Sequence, residues 1–121
     1  MTTQQTIDQA KADAFVGKVL ADTAALAVTA MSSIGDRLGL FKNLAQQGPA
    51  TSEELAELTH VNERYAREWL SAMASAGYVE YNPVNGRFTL PPEHIPVLAQ
   101  YTATLKRFGI ASSSLIVLVL V

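Results

Sequence analysis

Residues 51–90 leave few folds open, because two capped helical segments are followed there by a switch to strand periodicity. Thr51-Ser52-Glu53-Glu54 is a capping box, in which the Thr51 hydroxyl and the Glu54 carboxylate each satisfy a free backbone N–H. Leu55, Ala56 and Leu58 form the apolar side of the helix it opens. After Thr59-His60-Val61, Asn62 is a second N-cap, and its helix runs to Ala76 with Gly77 as the stop. The inward set of this helix is Tyr65, Ala66, Trp69, Leu70 and Met73. The period then falls to two. Tyr78-Val79-Glu80-Tyr81 and Arg87-Phe88-Thr89-Leu90 flank Asn82-Pro83-Val84-Asn85-Gly86, where Asn85-Gly86 accepts the positive φ of a hairpin turn. Helix, turn, helix and hairpin in this order define a winged helix-turn-helix.

The segment before it is helical too. From Ile7 to Ile34 there is no proline, and apolar residues recur at spacings of three and four. Asp8, Lys11, Asp13, Lys18 and Asp22 make the first half amphipathic, whereas the second half is apolar nearly all round. A break near Asp22-Thr23 would give two helices; without it there is one long helix. A short helix follows from Asp36 or Arg37 to Gln47, ended by Gly48-Pro49. The expected fold is therefore mainly α with a small β-hairpin: residues 1–35 helical, 36–98 the winged helix-turn-helix, 99–121 a divergent apolar tail. Phe41, Leu44, Leu55, Leu58, Tyr65, Trp69, Leu70 and Met73 are the expected core. Pro96 is expected to cost an early hydrogen bond in any helix that starts after Pro91-Pro92.

Several function classes fall away. The 121 residues include no cysteine, which excludes disulfides and thiolate chemistry. His60 and His94, the only histidines, lack metal-ligand spacing, so no metal site is expected. The seven glycines form no phosphate-cradling loop, and no catalytic residues are assigned. The longest uncharged interior run, residues 23–35, is short for a membrane span, and no secretory signal is visible. A cytoplasmic protein without a membrane partner is the expectation. Leu115 to Val121, LIVLVLV, matches an aggregation-prone strand.

Charge argues against the DNA binding that the fold invites. Between residues 49 and 95, three arginines against seven glutamates leave the segment at −4. Glu63 with Arg67, and Arg64 with Glu68, are spaced to pair along one helix face, so each arginine has a competing carboxylate. Phosphate contact needs several free cations. Arg64, Arg67 and Arg87 are the contacts if the chain is nonetheless a DNA-binding regulator, which stays the alternative.

Ile34-Gly-Asp-Arg-Leu-Gly-Leu-Phe41, then Asn62 to Leu70 (NERYAREWL) and the hairpin ending Leu90-Pro91-Pro92-Glu93-His94, resemble the N-terminal winged-helix domain of a class I S-adenosylmethionine-dependent methyltransferase family. The resemblance covers roughly residues 14–98. It implies a dimerisation domain that precedes a separate Rossmann-like domain, which binds S-adenosylmethionine and performs the chemistry. Residues 101–121 depart from the family, and a doubly wound cofactor domain needs more chain than this. The expectation is a truncated, frame-shifted or stand-alone, non-catalytic interaction module with no cofactor of its own. Phe15, Val16, Val19, Leu20, Ala27 and Met31 are its expected homodimer interface, since they exceed what the remaining domain can cover.

Overall fold

A computed structural model describes residues 5–110. The chain runs α1 (Gln9–Arg37), α2 (Leu40–Gln47), α3 (Ser52–Thr59), α4 (Glu63–Ser75), β1 (Glu80–Asn82), β2 (Arg87–Thr89), α5 (Ile95–Leu98) and α6 (Tyr101–Arg107). The aggregation-prone segment 115–121 lies outside the described residues.

α1 is one uninterrupted helix of 29 residues. Asp8 caps it by accepting from the Lys11 N–H at 3.3 Å. Thr23 does not break it; its hydroxyl donates to the Val19 carbonyl one turn back at 2.9 Å. The start expected for α2 at residues 36–37 is corrected: these residues form the last turn of α1. Gly39, at φ 72°, takes the left-handed conformation that turns the chain into α2.

The helix-turn-helix follows its local signals. Thr51 Oγ1 accepts from the Glu54 N–H at 3.2 Å, and Asn62 Oδ1 accepts from the Arg64 N–H at 2.9 Å. α4 ends in a Schellman motif, with Tyr78 N–H on the Met73 carbonyl at 2.9 Å and Gly77 N–H on that of Ala74 at 3.1 Å. Gly77 has the positive φ this closure requires. In the wing, Tyr81 faces Phe88 across an antiparallel ladder, shorter than the expected strands by a residue or two. Ala50 adds a bridge on the far edge of β2, exchanging two backbone hydrogen bonds with Phe88 at 3.0 and 2.8 Å. Pro96 sits in the first turn of α5, where its missing N–H has no helical partner to lose, so the expected cost does not arise.

Phe41, Leu44, Leu55, Trp69, Leu70 and Met73 are buried in one core with Leu40, Val79, Phe88 and Leu90. Two expected members are not. Tyr65 is 67% exposed and Leu58 41%. At about 100° per residue, each lies on the flank of its helix, roughly a quarter turn from the middle of the buried arc. Trp69 joins α1 to this core. Its ring meets Phe41 edge-on, centroids 4.8 Å apart, and its Nε1–H donates to the Met31 carbonyl at 2.9 Å. Gly35 lies against the indole so closely that a Cβ there would overlap it.

Candidate functional site

Only the last third of α1 touches the body of the domain. Its buried residues are Ser32, Ser33 and Gly35, and Val28 and Met31 pack against the core beside them. The preceding residues project free. Phe15 is 65% and Leu20 64% exposed, Val16 and Val19 are about half exposed, and Ala27 is exposed. Of the six expected interface residues, Met31 is thus half-buried in its own domain. Leu26 and Ile34, absent from that set, are exposed apolar residues of the same helix. Leu26 lies seven residues after Val19 and four before Ala30, and Ile34 four after Ala30, and that helical spacing is the signal that would have found them. By length and composition α1 is apolar enough to cross a bilayer, with a mean hydropathy of 1.5 over its best 18-residue window, which the uncharged run alone did not show.

On the winged-helix face the arginines are engaged. Arg64 Nε lies 3.1 Å from Glu68, and Arg67 Nε lies 3.7 Å from Glu63, both across one helical turn. Arg87 is held most firmly. Its two Nη groups donate to the two Glu54 carboxylate oxygens, each at 2.9 Å, and Nη1 also reaches the Pro49 carbonyl at 3.0 Å. Glu54 therefore pins the wing to α3 and does not turn back to the helix start, as a full capping box would have it. An open groove of about 630 Å³ lies between the start of α3, the outer face of α4 and the wing. Arg67 is its one basic lining residue and Glu53 its acidic one.

His60 closes α3 at φ 57° as its C-cap, and His94 Nδ1 lies 2.8 Å from the Tyr78 carbonyl. Both positions are structural. No group of metal-ligating side chains occurs among the described residues. Sequence reasoning also passed over a polar seam between α1 and α6, where the Thr102 hydroxyl donates to Asp36 and Tyr101 is buried. Burial pushes the Tyr101 phenol above its ordinary pKa of 10.0. The neighbouring charges of Tyr78 and Asp36 add to the rise, against a lesser opposing effect of hydrogen bonds with Thr29 and Ser32.

Residues 24–100 match the Rv2258c-like winged HTH domain. The chain belongs to that family. It is similar to LepI in complex with SAM, at 27% identity and a TM-score of 0.60 over 78% of this chain and 24% of LepI. A LepI variant in complex with SAH and a substrate analogue, and a structure described as a pericyclic reaction enzyme, each match at 26% identity and 0.59 over the same shares. The chain thus spans about a quarter of the length of these structures. No curated protein matches significantly.

Proposed function

We propose that this winged helix is a non-catalytic pairing module of a methyltransferase-like protein and that it pairs with a second copy through α1. The observation that carries the reading is the free two-thirds of α1, an apolar helix projecting from a body to which only its last turns are fixed. Contiguous exposed apolar surface of several hundred Å² marks an interface in soluble proteins, and two-fold pairing covers it on both copies. The likeness to LepI in complex with SAM supports the setting, and the family resemblance implies that SAM is held by a separate Rossmann-like domain. Titrating this chain with SAM is expected to release no heat of binding.

Sedimentation tests the pairing. The native chain is expected to run as a dimer at tens of micromolar, and Phe15→Asp with Val19→Asp as a folded monomer. A native monomer at that concentration overturns the reading.

A further inference from the structure

We infer that the two α1 helices of such a pair lie antiparallel, each free N-terminal part running along the anchored part of its partner's α1; this rests on the pairing proposed above. At about 100° per residue, Val16, Val19, Thr23, Leu26 and Ala30 fall within an arc of about 80°. Their spacings alternate between three and four, the pattern of a two-helix seam. Val28, Met31, Ser32 and Gly35, which hold α1 to its own body, lie on the other side. Thr23 brings no unpaired polar group to the seam, because Val19 accepts its hydroxyl.

A second copy fits this strip better than a bilayer does. Lys11, Asp13, Lys18 and Asp22 all lie in the free part of α1, and Lys18 and Asp22 already pair at 2.7 Å beside the strip. A span through the apolar part of α1 would have to carry Lys18 and Asp22 into the bilayer, whereas a helix pair leaves them in water. Charge also sets the direction. In a parallel pair, positions five apart on the two helices face each other beside the seam, which sets Asp8 against the partner's Asp13 on both sides. The antiparallel pair instead brings Asp8 toward the partner's Arg37 and opposes the two helix dipoles. Centred on Thr23, it also lays Val16 along the partner's Ala30 and Val19 along the partner's Leu26 and Ala27.

The absence of cysteine makes the direction directly testable. A disulfide needs Cα atoms roughly 4–7 Å apart. Near the centre of an antiparallel seam Thr23→Cys meets its own copy, while Val16→Cys is carried well beyond that reach. On mild oxidation T23C is expected to form a covalent dimer on a non-reducing gel and V16C to remain single. Efficient self-crosslinking of V16C in a chain that sediments as a dimer means parallel helices and overturns this inference alone. A dimer in which neither variant crosslinks removes α1 from the seam and overturns it as well. A native chain that sediments as a monomer, whether or not it floats with phosphatidylcholine vesicles, overturns both this inference and the pairing itself.

Discussion

Trp69 ties three parts of the molecule together through one side chain. Its ring packs on Phe41 of α2, its N–H reaches Met31 of α1, and its face is closed by Gly35. Trp69→Ala is expected to cost about 3–5 kcal/mol, the range for deleting a buried aromatic, read from denaturant unfolding. Gly35→Ala tests the same contact from the other side. Its methyl displaces the indole, and overpacking of this kind costs about 1–3 kcal/mol, with a red shift of the single tryptophan's fluorescence. Tyr101 carries a pH signature. Since folding raises its pKa, its contribution is complete below the unfolded value of about 10 and is lost as pH rises through the folded one. Melting temperature should therefore fall above about pH 10, and Tyr101→Phe should flatten that fall.

At the scale of elements, α4 occupies the place of a recognition helix yet offers its cations already partnered. Surface pairs such as Arg64–Glu68 are individually weak, and they lower affinity mainly by placing a carboxylate wherever a phosphate would approach. The wing adds no free cation, since Arg87 is bound by Glu54. A gel shift at low salt is expected to show no sequence-dependent binding. Tight binding that weakens in an Arg64→Ala, Arg67→Ala variant would restore the DNA-binding alternative, for which the fold alone speaks.

For the whole molecule, pairing through α1 couples association to stability. If two copies bury the free helix, the unfolding midpoint should rise with protein concentration, by mass action. The Phe15→Asp, Val19→Asp variant should lose that dependence while its Trp69 environment stays native. This outcome separates a weakened interface from a damaged core, because neither residue belongs to the buried cluster.

Caps, breakers and periodicity were legible in the sequence because each acts over three or four residues. Thr51, Asn62, Gly48 and Gly77 all sit where such local rules put them, and together they specify the winged helix. What lay beyond that range was decided by packing. Glu54 satisfied the local rule for a capping box, but a bidentate arginine 33 residues away competed for its carboxylate and won. Leu58 and Tyr65 have apolar bodies at helical spacing, but only the placement of neighbouring helices determined which arc faced the core. The same holds for α1. Its composition makes a long apolar helix; that Trp69 and Gly35 anchor only its final turns, leaving the rest exposed, is a property of the tertiary structure. Local backbone preferences set the elements, and contacts between residues far apart in the chain set which of their faces remain free.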